Sequence, residues 1–161
     1  MELILIISIC YFLGSIPFGL ILTKIFLKKD IRKIGSGNIG ATNVLRTGNK
    51  IIGYLTLTFD ILKAVIPILY IKFKFPDLVY ISSLSVFIGH VFPAWLKFKG
   101  GKGVATFSGI LLAISLKYFL IFVLVWVSTL LIFRYSYHIK KFLPFNFPFI
   151  PRVFVIYYFA L

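Results

Sequence analysis

The sequence predicts an all-α protein, a polytopic integral membrane bundle of about five to six transmembrane helices, and three observations carry that prediction. Hydrophobic residues make up 60% of the 161 positions, well above the roughly 45 to 50% of an ordinary soluble domain. The mean hydropathy is +1.03. Several stretches also approach the ~20 apolar residues that a bilayer crossing needs. A soluble chain of this size could not hide so many Ile, Leu, Val and Phe side chains behind a polar shell. Residues 1–161 read as one membrane domain.

The first apolar stretch, Leu3 to Thr23, has neither a basic start nor a small-residue cleavage site, so it reads as a retained helix rather than a secretory signal. It holds Cys10, the sole cysteine, which can form no internal disulfide and reads as a small core residue. Gly14, Ser15 and Gly19, with Gly53 further on, are the small residues expected to let helices pack closely. The remaining candidate spans are Ile51 to Ile71, Leu78 to Leu96, Val104 to Leu116 and Tyr118 to Phe133. The last two are short and separated by Lys117, consistent with two tilted spans or one long bent element. Phe142 to Leu161 is apolar but carries Pro144, Pro148 and Pro151, each lacking a backbone donor, and its crossing is left open.

Basic residues sort unevenly between the two sides. Lys24, Lys28, Lys29, Arg32, Lys33, Arg46 and Lys50 follow the first span, and Lys97, Lys99 and Lys102 follow the third, against Lys72, Lys74 and Lys117 opposite. Positive loops stay cytoplasmic, so the amino terminus is expected outside and both of those loops inside, with Arg134, Lys140 and Lys141 joining them if the short segments are two spans. Much of the net charge of +14 is accounted for by orientation and by attraction to anionic headgroups, making membrane lipids the expected partners of this face and nucleic acid an unneeded one.

Orientation does not explain the glycines. The first basic loop reads Gly35-Ser36-Gly37-Asn38-Ile39-Gly40-Ala41-Thr42-Asn43-Val44-Leu45-Arg46-Thr47-Gly48. Glycines let backbone amides converge on an anion, hydroxyls and side-chain amides add directed hydrogen bonds, and an arginine closes a planar fork on phosphate oxygens. The second reads Gly89-His90-Val91-Phe92-Pro93, then Phe98-Lys99-Gly100-Gly101-Lys102-Gly103-Val104-Ala105-Thr106, running into an apolar helix. It is expected to bring backbone donors, a positive helix end and an ammonium to one point. The spacing of a nucleotide P-loop is absent. Either loop alone is compatible with tight turns or close helix packing; two on one face suggest two phosphate groups held side by side.

The four carboxylates, Glu2, Asp30, Asp60 and Asp77, are scattered, which argues against a metal-dependent lipid phosphotransferase and gives no metal ligand set. Neither His90 nor His138 has an aspartate five residues on, as the His-x4-Asp motif of many acyltransferases requires, and no Ser-His-Asp or Cys-His set is apparent. Asp60 and Lys63, three apart within an apolar span, can meet on one helix face. Charges at that depth suggest either function or an internal pair fixing helix packing.

These two loops, together with Tyr11-Phe12-Leu13-Gly14-Ser15-Ile16-Pro17-Phe18-Gly19 and Asp60-Ile61-Leu62-Lys63, closely resemble the signature segments of the bacterial acyl-phosphate:glycerol-3-phosphate acyltransferases, the PlsY family. The resemblance covers roughly residues 10 to 135. It implies a plasma-membrane enzyme, without metal, coenzyme A or acyl carrier protein, that moves a fatty acyl group from acyl phosphate to the 1-hydroxyl of glycerol 3-phosphate. By the same carry-over Ser36, Lys102 and His90 are the catalytic candidates. Asn38, Thr42, Arg46, Gly100, Gly101 and Gly103 are substrate-binding candidates, and Asp60 and Lys63 are supporting ones. Residues 1–136 are family-like, whereas in the divergent tail, 137–161, Tyr137-His138-Ile139-Lys140-Lys141 stands where the family's third motif, resembling His-x-x-Asn-Ile-x-Arg-Leu-x-x-Gly-x-Glu, is expected. Two other readings remain: a small-anion transporter of phosphate type, and an inactive remnant lacking that motif. Acyl-chain preference and oligomeric state are not fixed by the sequence.

Overall fold

The structure, a computed structural model, describes residues 2–142, with side chains through residue 132. It divides into two units, residues 1–119 and 120–161. The first unit is built on one long helix. Helix α4, Lys50–Lys74, runs 25 residues, or ~38 Å, and its start is capped by the Asn49 side chain accepting from the Ile52 N–H at 3.0 Å. Pro67 sits inside it, which removes the donor that the Lys63 carbonyl would otherwise meet one turn on.

The helices beside α4 are about half as long. α1, Glu2–Gly14, and α5, Val79–Val91, have 13 residues each, and α6, Val104–Ile114, has 11. Their directions follow from named contacts. Cys10 of α1 meets the Ser82 side chain of α5, and Gly14, one turn further on, packs on the carbonyl of Val86, also one turn further on, so α1 and α5 run side by side in the same sense. Gly109 of α6 packs on Ile61 and Ala64 of α4, and Lys72 donates to the carbonyls of Ala113 at 3.2 Å and Ile114 at 2.8 Å. α6 therefore runs parallel to α4, with its last carbonyls closed by the Lys72 ammonium. The ends of α1 and α5 and the start of α6 all meet beside the middle of α4.

The first apolar stretch is not one helix. It is broken at residues 15–17 and resumes as α2, Phe18–Phe26, bent by 40° from α1. Pro17 has no N–H to give, and Phe18 stacks on Phe59 of α4 at 5.1 Å between ring centroids. The long third stretch is also divided, into a 3-10 turn at Pro76–Leu78, α5, and a second such turn at Ala94–Leu96. By length and composition two stretches among the described residues, Lys50–Lys74 and Pro76–Leu96, can cross a membrane, and three if α1 and α2 form one span. α6 and the 116–132 part of α7, Leu116–Phe142, are shorter apolar helices. The interruption between the two helices falls at Ser115, in extended conformation, two residues before the Lys117 at which the sequence divides. Residues 120–142 of α7 belong to the second unit. The span candidate 142–161 beyond Phe142 and the side chains of Arg134, His138, Lys140 and Lys141 lie outside what the structure describes.

Two apolar cores are stacked along α4. One joins Cys10, Ala64, Ile68, Ile71, Val79, Val86, Ile110 and Ala113. The other joins Leu20, Leu22, Ile31, Ile39, Val44 and Ile52 around the start of α4. Between them lies a buried polar layer that includes Ser15, Thr56, Asp60, Lys63, His90 and Thr106. Its position has a cause. Helix ends expose carbonyls and N–H groups, and away from water each must find a partner within the protein.

Candidate active site

The broken helices frame the candidate site, and the polar layer shows how their loose ends are satisfied. In the first break the Ser15 carbonyl accepts from the Trp95 indole at 3.1 Å, and the Ile16 carbonyl from Lys63 Nζ at 2.8 Å. At the end of α5 the Phe92 carbonyl accepts from the Tyr11 hydroxyl at 2.7 Å. The His90 and Val91 carbonyls accept from the N–H groups of Gly101 at 3.2 Å and Gly100 at 3.0 Å. The second glycine loop is thereby folded back on the end of α5.

That folding corrects one expectation for this loop. The N–H groups of Gly100 and Gly101 are spent inside the chain and are not donors for an anion. The first-turn amides of α6, Val104 to Thr106, have no acceptor within their own helix, and the loop delivers Lys102 and Gly103 to that point. Gly103, at φ +82°, is the N-cap of α6. What Gly101 supplies is room: its Cα lies against the His90 ring, leaving no space for a Cβ.

His90 belongs to the buried layer, 4% exposed. Lys63 Nζ lies 2.8 Å from His90 Nδ1 and 2.7 Å from Asp60 Oδ1, while Asp60 Oδ1 and His90 Nδ1 are 3.8 Å apart. The Asp60 and Lys63 contact inferred from their spacing is present, and His90 is its third member.

The first glycine loop is organised by a residue to which the sequence reading gave no role. Asn43, 2% exposed, donates through Nδ2 to the carbonyls of Ile31, Ile34 and Asn38 at 3.1, 2.9 and 2.8 Å, and accepts through Oδ1 from the Ser36 N–H at 3.1 Å. Gly35, at φ +55°, faces Asn43 and Arg46. The Asn38 side chain accepts from the Gly40 N–H at 3.2 Å, which leads into the short helix α3, Ala41–Leu45. Held on this frame, Ser36, Thr42 and Arg46 are exposed, with Asn38 partly so. Upstream, the Asp30 side chain caps the turn at Ile31–Lys33. Its hydrogen bonds with the Arg32 guanidinium hold the Asp30 carboxyl well below the usual carboxylate range.

The two loops share one end of the first unit. α4 leaves the first loop and α6, parallel to it, leaves the second. Leu96, in the turn that opens the second loop, packs on the core formed by Ile31, Ile39 and Val44 of the first.

A sequence model of the glycerol-3-phosphate acyltransferase family matches residues 4–161. The chain belongs to that family. Among curated relatives it is 65% identical over 136 residues to the glycerol-3-phosphate acyltransferase of Pelagibacter ubique, covering 84% of this chain and 71% of that protein. It is 54% identical over 126 residues to the enzyme of the same name from Brucella anthropi, covering 78% and 63%. Among solved structures it resembles PlsY (YgiH), an integral membrane glycerol 3-phosphate acyltransferase, in its glycerol 3-phosphate form. There the TM-score is 0.73 at 39% identity, over 81% of this chain and 66% of that one. The lysophosphatidic acid form gives 0.70 at 38%. The chain thus spans about two thirds of the length of its family relatives. Membership favours an acyltransferase over an anion transporter, and the family model extends past Ser136, where the resemblance read from the sequence ends.

Proposed function

We propose that the chain transfers a fatty acyl group from acyl phosphate to the 1-hydroxyl of glycerol 3-phosphate, yielding lysophosphatidic acid and inorganic phosphate. The observation that carries this reading is the placement of two basic, glycine-rich loops at one end of a membrane bundle, each leading into a helix start. Both substrates are phosphates, and one has a lipid tail. Ser36, Arg46 and Lys102 hold the phosphate groups, Thr42 and Asn38 line the pocket, and the first turn of α6 adds backbone donors.

Acyl phosphate is already activated. The glycerol 3-phosphate oxygen attacks the acyl carbonyl carbon, the bond from that carbon to the phosphate oxygen breaks, and phosphate departs with the electron pair. A substrate phosphate oxygen takes the hydroxyl proton, so the protein contributes positioning and stabilisation of developing negative charge. The basic loops face the cytoplasm of a bacterial inner membrane, with the amino terminus outside. Full-length protein in liposomes tests the activity: phosphate release from synthetic acyl phosphate appears only when glycerol 3-phosphate is added. Release that ignores glycerol 3-phosphate, or none at all, overturns the reading.

A further inference from the structure

We propose that Lys63 is a positioning residue for acyl transfer, fastening the break in the first span and, through His90, the seat of the Gly100–Gly103 loop. The inference rests on the acyl-transfer reading and assigns a cause for the loop's geometry.

An ammonium has three N–H groups and no acceptor, and three acceptors surround Lys63 Nζ: Asp60 Oδ1 at 2.7 Å, His90 Nδ1 at 2.8 Å and the Ile16 carbonyl at 2.8 Å. Asp60 is its ion-pair partner and the other two are hydrogen-bond partners; enclosed by these three and with 6% of its surface exposed, Lys63 is not open to a substrate. Its partners come from α4 itself, from the end of α5 and from the break at residues 15–17. A buried ion pair serving helix packing alone needs only Asp60. The other two contacts join the elements that surround the start of α6.

His90 transmits the constraint. Because Nδ1 accepts from an ammonium, the proton of the neutral ring is on Nε2, the edge that lies against Gly101. The ring is wedged between Lys63 and the loop, and its own carbonyl accepts the Gly101 N–H. One residue further on stands Lys102, and two further on the N-cap of α6. His90 therefore sets where the loop rests, and a proton-transfer role for it is not required.

The test separates the two nitrogens. Asparagine places an amide near the position of Nδ1 and glutamine near that of Nε2, so His90→Asn preserves the partner of Lys63 and His90→Gln does not. In liposomes, His90→Gln and Lys63→Met are expected to lose about 50-fold or more in kcat/KM, and His90→Asn, which keeps the partner of Lys63 but loses the ring edge against Gly101, is expected to lose less than that and to keep the acid limb of its pH profile. Loss of the acid limb in His90→Asn, or activity as low as that of His90→Gln, makes Nε2 the working atom and overturns the proposal. If Lys63→Met does not fold, Asp60→Asn/Lys63→Met leaves no unpaired charge, and a near-normal rate in it is equally contrary. A readout independent of chemistry is amide hydrogen exchange at Gly100 and Gly101. Faster exchange in the Lys63 variants is expected even should the acyl-transfer reading fail, and unchanged exchange refutes the clamp.

Discussion

The side-chain oxygen of Asn43 accepts from the backbone N–H of Ser36 at 3.1 Å, so a buried amide on α3 decides where an exposed serine seven residues earlier is held. The same side chain gathers three carbonyls. Asn43→Ala leaves those groups to compete for water or strain, at about 1–3 kcal/mol for each that remains buried and unpaired. Asn43→Asp is worse, since a carboxylate cannot donate to the carbonyls. Both variants are expected to raise KM for glycerol 3-phosphate about tenfold or more and to speed amide exchange over residues 35–43. Steady-state kinetics and hydrogen exchange check this.

The Asp60 and Lys63 pair is buried on both sides. Removing one partner strands the other charge, so Lys63→Met is expected to cost about 3–5 kcal/mol of stability. Asp60→Asn/Lys63→Met should recover a large part of that loss, because no bare charge remains. Denaturant titration in detergent micelles measures the difference, and equal stability of the single and double variants contradicts the assignment.

Gly101 and Gly48 make a controlled comparison. A methyl group at Gly101 runs into the His90 ring, whereas at Gly48, φ +87°, a Cβ meets open space. Gly101→Ala is expected to abolish most activity. Gly48→Ala carries only the left-handed backbone cost of about 1–2 kcal/mol and keeps kcat near normal. The two activities, measured on equal amounts of folded protein, decide the point.

Lys72 acts at the opposite end of α6. Its hydrogen bonds to the Ala113 and Ile114 carbonyls make it a cap supplied by a neighbouring helix. Lys72→Met is expected to lower stability by about 1.5–3 kcal/mol, the range for hydrogen bonds to a charged group. KM for both substrates should stay unchanged. A shift in KM instead of in the unfolding midpoint contradicts the capping role.

Much of this was legible in the sequence, for local reasons. Hydropathy located α4 to within a few residues, because a long apolar run near the bilayer length has few other outcomes. The spacing of Asp60 and Lys63 gave their contact, since residues three apart share a helix face. The break at residues 15–17 was not read, although Pro17 and Gly14 are visible there. Whether a proline bends or ends a helix depends on what satisfies the freed carbonyls, and here Lys63 and Trp95 do so from 47 and 80 residues away. A separation of 27 residues likewise hid the contact of His90 with Lys63, although His90 itself stood out as a candidate in its own loop. Asn43 was unremarkable among other small polar residues until the carbonyls around it were in place. The Gly100 and Gly101 amides looked like anion donors only because their acceptors, at the end of α5, cannot be inferred from the loop itself.

In the proposed reaction one pocket, built by both loops, grips the phosphate-bearing substrates. Turnover of Arg46→Ala, Lys102→Ala and the double variant in liposomes, with glycerol 3-phosphate and synthetic acyl phosphate, tests it most directly. Each single change is expected to lower kcat/KM about 100-fold or more, with the double variant falling short of the product of the two losses because both act on one pocket. Near-normal turnover in either single variant contradicts the account.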